Sequence, residues 1–111
     1  GLALACDIRL AGTSARMTSA FAKVGLSGDF GGTWFLNQLV GPARARELYY
    51  TSELLDADRI AALGLANRIV ADEALEAETM ALARRIAAGP RVALTYIKRN
   101  HVVALTGTLS D

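Results

Sequence analysis

The sequence has 111 residues, and 52% of them are hydrophobic, which suits one small domain with a packed core and excludes a disordered chain. Twelve basic and eleven acidic residues give a formal net charge of +1, and they are scattered along the chain. Because no basic patch forms, we expect no nucleic-acid partner.

The first third of the chain is predicted to alternate short extended segments with turns. Residues 1–6 suit the end of a buried helix or strand, and the polar and apolar alternation over 7–11 predicts a short strand. A turn at 12–14 leads to a second extended piece at 16–18. Residues 27–32 (Ser-Gly-Asp-Phe-Gly-Gly) then form a loop rich in glycines, which can adopt unusual backbone angles.

The middle of the chain is predicted to form two helices that meet at a tight corner. From Thr33 the apolar residues recur at helical spacing as far as Gly41, and Pro42 suits the first turn of the next helix. We find no internal repeat or linker, so the only domain boundary predicted is a soft one near residue 41. It separates residues 1–41, mainly loop and strand, from the mainly helical residues 42–111.

The remaining helices have ends that the sequence explains. Asp56 is placed to cap a short helix over 57–63, and Gly64 would end that helix in a left-handed conformation. Residues 73–88 carry one apolar stripe at three- and four-residue intervals, and a Gly-Pro pair at 89–90 separates them from a last helix. The second half of the chain should therefore be mostly helical.

Several kinds of catalytic site are excluded by the residues themselves. Cys6 and His101 are the only cysteine and histidine, so a zinc set cannot be assembled, and no carboxylate cluster has calcium-loop spacing. A Ser or Cys nucleophile would lack an obvious base, and the glycine loop matches neither phosphate-binding fingerprint. We expect no metal and no separate cofactor.

The first residues of the chain indicate the cellular compartment of the protein. Its apolar run ends at Asp7, far short of the roughly 18 to 20 residues that a membrane span requires, so we expect no membrane partner. Cys6 lies among apolar residues, which predicts a buried, inert thiol. A single unpaired cysteine fits a reducing compartment, and we predict a cytoplasmic protein.

Asp29 is the residue best suited to carry chemistry. A helix N-terminus just after it would favour its charged form, whereas burial against apolar neighbours would disfavour that form and raise its pKa. The apolar neighbours are Phe21, Leu26, Phe30 and Trp34. An Asp before a helix is also a common N-cap, so the residues alone leave a cap and a proton shuttle both open. The pair Tyr49-Tyr50 is interpreted as packing.

Four segments of the sequence stand in a recognisable order and spacing. They are Gly1-Leu2-Ala3-Leu4-Ala5-Cys6-Asp7, Lys23-Val24-Gly25-Leu26 with Gly31-Gly32-Thr33, Ala43-Arg44-Ala45-Arg46-Glu47-Leu48, and Asp56-Ala57 leading to Gly64-Leu65-Ala66-Asn67. Together they resemble successive motifs of the enoyl-CoA hydratase/isomerase (crotonase) family. The resemblance implies an α/β crotonase-like (ClpP/crotonase) spiral fold, followed by a helical region that commonly builds homotrimers or hexamers.

The resemblance also implies where this chain stands in the family's fold. Residues 1–41 would be the last part of the spiral core, with the active-site loop, and residues 42–111 the helical region. The substrates would be acyl-CoA thioesters, with coenzyme A present only as part of the substrate. Two backbone N–H groups would stabilise a thioester enolate as an oxyanion hole, and both are expected upstream of Gly1.

The same resemblance favours isomerisation over hydration. Hydratases of the family use two glutamates, and the matching positions here are Gly1 and Phe21, neither of which can carry a proton. Asp29 falls where isomerising members often have an acidic residue, and residues 29–34 are most similar to the ring-opening 1,2-epoxyphenylacetyl-CoA isomerase group.

These implications predict a double-bond isomerase. Asp29 would move the proton, while Phe21, Leu26, Phe30 and Trp34 would form the apolar substrate pocket. Two alternatives remain open. One is a hydratase with rearranged acids or a naphthoate-synthase-like enzyme. The other is a non-catalytic crotonase-like subunit in which Asp29 is a plain helix cap.

Overall fold

The computed structural model describes residues 1–28 and 30–111, which divide into two compact units, Gly1–Glu76 and Ala77–Asp111. The helices are α1 (Gly32–Val40), α2 (Pro42–Thr51), α3 (Ala57–Ala62), α4 (Leu75–Ala87) and α5 (Arg91–Thr106), and the strands are β1 (Leu10–Gly12) and β2 (Arg68–Val70). Short 3₁₀ helices span Ala3–Ala5, Ala20–Val24 and Asp72–Ala74. The boundary near residue 41 was predicted between the family's spiral core and its helical region, which is a different division from these two units. It stays a prediction.

The corner between α1 and α2 has the predicted form. α1 ends at Gly41, whose φ of 83° lies in the region that favours glycine. Pro42 occupies the first turn of α2, where its missing N–H costs no helical hydrogen bond. The two helices therefore pack directly against each other, with Leu36 of α1 and Leu48 of α2 both buried.

The apolar core lies within the first unit and is built by α1, α2, α3 and the segments around α3. Nine apolar residues are buried there: Leu36, Ala45, Leu48, Leu55, Ala57, Ile60, Leu63, Leu65 and Ala66. Ile60 is fully buried and Leu65 is 2% exposed. α3 thus supplies the centre of this core, although it has only six residues.

The ends of α3 confirm the capping prediction. The Asp56 carboxylate accepts a hydrogen bond from the Arg59 N–H at 2.9 Å. Gly64 follows the helix with a φ of 74°, the left-handed conformation expected of a helix-ending glycine. Local side-chain chemistry is therefore enough to place this helix.

The two strands pair in parallel, with Leu10 opposite Arg68 and Gly12 opposite Val70. The strand predicted over 7–11 begins later than expected, at Leu10. The reason is Arg9, whose guanidinium donates to the Leu65 carbonyl at 2.7 Å and to the Cys6 carbonyl at 2.6 Å. This folds the chain back just before the strand.

The prediction of a buried Cys6 thiol is wrong. Cys6 is exposed, and its Sγ lies 3.7 Å from the carbonyl oxygen of Leu2. It follows the 3₁₀ turn Ala3–Ala5, which contributes no buried residue. Apolar neighbours in the sequence were therefore a poor guide to burial here.

The second unit consists of most of α4 together with α5, separated at Gly89 and Pro90 as predicted. Leu82 and Leu94 are half-buried, and no residue of the fully described segment 77–111 is buried. Within the described part of the chain, no helix has the length and apolar character needed to cross a membrane.

Candidate active site

A cavity of about 110 Å³ lies in the first unit, and we call it the first cavity. Its lining includes Gly1, Phe21, Gly32, Tyr49 and Glu53, together with apolar residues of the core. Gly1 and Phe21 are the positions that the family resemblance matches to the hydratase glutamates. The structure therefore brings these two positions to one cavity, although they are 20 positions apart in the sequence.

Hydrogen bonds to the end of α2 position the segment that carries Phe21. The Ser19 hydroxyl donates to the Leu48 carbonyl at 2.9 Å, and the Thr18 hydroxyl donates to the Ser52 carbonyl at 3.1 Å. The Leu48 carbonyl lies in the last turn of α2, where it also accepts the Ser52 N–H at 3.0 Å, and Ser52 is the residue that caps this helix. The 3₁₀ helix with Phe21 is thereby held against α2.

Tyr49 is the main aromatic partner of Phe21 and fits against two glycines. The two rings stack with centroids 6.5 Å apart and planes inclined by 21°. A Cβ built on Gly32 would lie 2.7 Å from the Tyr49 hydroxyl, and one on Gly28 would lie 3.3 Å from its Cε1. The ring therefore occupies space that side chains at these positions would need.

Gly1 has no room for a side chain in this structure. A Cβ built on it would lie 2.9 Å from the Phe30 carbonyl oxygen. Phe30 itself has a φ of 49°, a left-handed conformation that costs a non-glycine residue about 1–2 kcal/mol. A glutamate at position 1 would require this loop to move.

Asp29 lies outside the described residues, so its role stays a prediction. Its two neighbours are described. Gly28 packs against the Tyr49 ring, and the Phe30 carbonyl lies beside Gly1. The chain on both sides of Asp29 thus contacts residues that line the first cavity.

The structure does not bring the four predicted pocket residues into one pocket. Phe21 lines the first cavity, whereas Leu26 lines a second cavity of about 490 Å³. Phe30 is 85% exposed, and Trp34 is 45% exposed with its ring edge-on to Phe35 at 5.0 Å. Neither Phe30 nor Trp34 is part of the described lining of these cavities. Their part in substrate binding stays a prediction.

Two further lining residues were not found by sequence reasoning. Tyr49 was interpreted as packing, although it stands one turn after the buried Ala45 and so shares its helix face. No sequence pattern pointed to Glu53, because the left-handed turn at Ser52 is what directs the chain so that Glu53 lines the cavity.

Glu53 is an acidic group in the described lining of the first cavity. Its carboxylate lies 3.9 Å from the Arg59 guanidinium, and its side chain is 42% exposed. Across residues 1–28 and 30–111, no three His, Cys, Asp or Glu side chains are grouped as metal ligands would be. Glu53 thus gives this cavity a carboxylate, a group that can transfer a proton.

Comparison with known proteins places the chain in a family. The model of the enoyl-CoA hydratase/isomerase family matches residues 1–110. The short-chain-enoyl-CoA hydratase of Clostridioides difficile is 39% identical over 97 residues, which cover 87% of this chain and 63% of that protein. The 1,2-epoxyphenylacetyl-CoA isomerase of Escherichia coli K12 is 40% identical over 108 residues, which cover 97% of this chain and 41% of that protein.

Solved structures agree over nearly the whole chain. An enoyl-CoA hydratase from Polaromonas sp. JS666 gives a TM-score of 0.90 at 36% identity, covering 98% of this chain and 42% of that one. A Thermobifida fusca YX protein crystallised with acetoacetyl-CoA gives 0.94 at 38% identity, covering 98% and 43%. The chain spans less than two thirds of the length of these relatives. The expected crotonase fold is confirmed, and the chain belongs to the enoyl-CoA hydratase/isomerase family.

Proposed function

We propose that the protein carrying this chain shifts a double bond in an enoyl-CoA thioester. The observation that supports this most is the first cavity, which is lined by Gly1 and Phe21, the two positions that the family resemblance matches to the hydratase glutamates. Neither can activate a water or protonate a carbon. A double-bond shift needs only one mobile carboxylate, because the proton that it removes is the one that it returns.

Asp29 is the carboxylate that we propose for this step. It would remove the proton from C2 of a 3-enoyl thioester, which leaves an enolate, and return it to C4 to give the 2-enoyl product. The contacts of Gly28 with Tyr49 and of Phe30 with Gly1 support a position beside the first cavity. A carboxylate in an apolar pocket is in general a better base, because burial disfavours its charged form.

The enolate formed in this step carries a negative charge that needs stabilisation. We propose that two backbone N–H groups outside this chain act as the oxyanion hole, which is typically among the largest contributions to such catalysis. The substrate would bring coenzyme A with it, and we propose no separate cofactor. The Thermobifida fusca structure with acetoacetyl-CoA supports an acyl-CoA ligand.

Hydration with rearranged acids is the second candidate, and Glu53 is the observation that favours it. This residue gives the first cavity a carboxylate that the glutamate positions lack. Paired with Asp29, it could provide one acid and one base, as addition of water requires.

Three matched substitutions separate these candidates in the protein that carries the chain. Asp29→Asn should lower the rate of 3-enoyl-CoA to 2-enoyl-CoA conversion about 10²-fold or more, the scale of general acid–base catalysis. Glu53→Gln should change it less than about threefold, since the isomerase mechanism has no step for that carboxylate. Glu47→Gln, on the exposed side of α2, is the control.

The outcomes divide clearly. Activity of Asp29→Asn near that of the wild type would remove the isomerase proposal. Equal losses in Asp29→Asn and Glu53→Gln, with 3-hydroxyacyl-CoA as the wild-type product, would favour hydration. A wild type that binds acyl-CoA but converts none of a panel of enoyl-CoAs would be a non-catalytic subunit.

We also propose a homo-oligomer, a trimer or hexamer, in which copies cover the apolar side chains of the second unit. These side chains are exposed and include Tyr96, Ile97 and Val103 of α5. Sedimentation analysis should give a mass of three or six chains, and a monomer at micromolar concentration would contradict this. A cytoplasmic location stays a prediction.

A further inference from the structure

Tyr49 borders both cavities of the first unit. The first cavity is lined by Phe21, Gly32 and Tyr49 among others, and the second by Leu26, Thr33 and Tyr49 among others. Tyr49 is the one residue that the described linings have in common. Its ring is therefore placed between a space of about 110 Å³ and a space of about 490 Å³.

Contacts on several sides hold this ring in place. Phe21 stacks on it at 6.5 Å, and Gly28 and Gly32 approach its Cε1 and its hydroxyl. At its base, the neighbouring Leu48 is 5% exposed and anchors α2 in the core. A side chain packed in this way has few alternative rotamers, so it acts as a fixed wall.

The size of the first cavity limits what it can take. An engineered protein cavity of about 150 Å³ holds one benzene molecule. A cavity of about 110 Å³ is smaller than that and therefore suits an acyl group of about four carbons. A longer chain that continued past the Tyr49 ring would enter the second cavity.

We propose that Tyr49 is a specificity-determining residue that restricts the protein to short acyl groups by separating the two cavities. This inference rests on the proposed function, in that the acyl group of an acyl-CoA occupies the first cavity. The restriction is steric, and so the ring matters and the hydroxyl does not.

Substitutions at Tyr49 should change the preference for chain length. Tyr49→Ala would join the cavities, and Tyr49→Leu would do so in part while retaining apolar packing. Both should raise kcat/KM for a ten-carbon substrate relative to a four-carbon one by at least about tenfold, the lower end of what one methylene is worth in a pocket. Tyr49→Phe keeps the ring and should leave this ratio unchanged.

Tyr50 offers a matched control for the same chemical change. It is the next residue of α2, is 78% exposed, and lines the second cavity but not the first. Tyr50→Ala should therefore leave the chain-length ratio unchanged. A shift as large as that of Tyr49→Ala would show that the effect does not come from joining the cavities.

A binding measurement keeps this test separate from catalysis. Calorimetric dissociation constants for butyryl-CoA and decanoyl-CoA, which contain no double bond to move, should show the same shift of at least about tenfold. A wild type without turnover but with this shift in Tyr49→Ala would overturn only the proposed function. An active wild type whose folded Tyr49→Ala and Tyr49→Leu variants keep the wild-type ratio in both assays would overturn the role of Tyr49.

Discussion

The two compact units of the chain differ in how they bury apolar surface. The first unit, Gly1–Glu76, contains the nine apolar residues that are buried in the described part of the chain, including the fully buried Ile60. The second, Ala77–Asp111, is also rich in apolar residues, but every residue of this described segment is at least partly exposed. Its larger exposed apolar side chains are Met80, Ile86, Val92, Tyr96, Ile97, Val102, Val103, Leu105 and Leu109.

This difference teaches that helix formation and burial follow separate rules. α5 forms over Arg91–Thr106 without a buried residue, because its composition and its Gly-Pro boundary favour a helix. The first unit has a core that maintains its tertiary structure and its cavities. The second unit needs a covering surface, which we propose to be another copy of the protein.

The largest expected effect comes from a matched pair of isoleucines. Ile60→Ala should lower the free energy of unfolding by about 2–5 kcal/mol, because it removes buried carbons and leaves a cavity. Ile97→Ala, at a side chain that is 50% exposed, should cost less than about 0.5 kcal/mol in the dissociated chain. Denaturant unfolding at several protein concentrations measures both.

The concentration series decides what covers the second unit. If copies associate through α5, the cost of Ile97→Ala should grow with protein concentration, whereas that of Ile60→Ala should not. If Ile97→Ala lowered the free energy of unfolding as much as Ile60→Ala does at every concentration, the two units would not differ in the way described.

A stabilising substitution should exist inside the first unit. Ser52 has a φ of 50°, is 2% exposed, and its hydroxyl has no hydrogen-bond partner among the described residues. Ser52→Gly should raise the free energy of unfolding by about 1 kcal/mol, since relief of strain and of an unpaired hydroxyl exceeds the added backbone entropy. Ser52→Ala, which keeps the Cβ, is the control and should gain less. A loss of stability in Ser52→Gly would contradict the strain assigned here.

A smaller effect should appear only in the pH dependence of stability. Hydrogen bonds from the Ser14 hydroxyl and N–H hold the pKa of Asp72 below its ordinary value of 3.8. A carboxyl whose pKa is lowered in the folded state stabilises the folded protein at pH values above its unfolded pKa. This stabilisation is lost as the pH falls through the pKa of the folded state. The difference in unfolding free energy between the wild type and Asp72→Asn should thus be constant from about pH 5 to 7 and shrink below about pH 3.8.

Asp111 provides the matched carboxyl in the second unit. The N–H and hydroxyl of Thr108 also lower its pKa, but they close only a terminal turn. Asp111→Asn should therefore leave unfolding of the first unit unchanged at every pH, whereas Asp72 links a turn at Ser14 to the segment after β2. Equal pH profiles for the two variants would contradict this distinction.

The sequence predicted those parts of the fold that depend on neighbouring residues. Asp56, Gly64 and the Gly41-Pro42 pair act within one helical turn, and each boundary was found within about two residues, as expected where capping chemistry is local. The family was also identified from motifs along the chain, which the comparisons confirm.

The sequence did not predict features that depend on distant contacts. Tyr49 reaches the first cavity by packing against Phe21, and Arg9 delays β1 by binding the Leu65 carbonyl. The burial of Cys6 was predicted wrongly, because a 3₁₀ turn exposes it in spite of its apolar neighbours. No local sequence pattern predicts such contacts between residues that are far apart in the sequence.

The central claim is that a cavity without carboxylates at Gly1 and Phe21 performs a double-bond shift and not a hydration. The most direct measurement is the identity of the product when the protein is given a 3-enoyl-CoA and, separately, a 2-enoyl-CoA, analysed by mass spectrometry and NMR. The account predicts that the two isomers interconvert with no change in mass. Accumulation of 3-hydroxyacyl-CoA, which is heavier by one water, would contradict it.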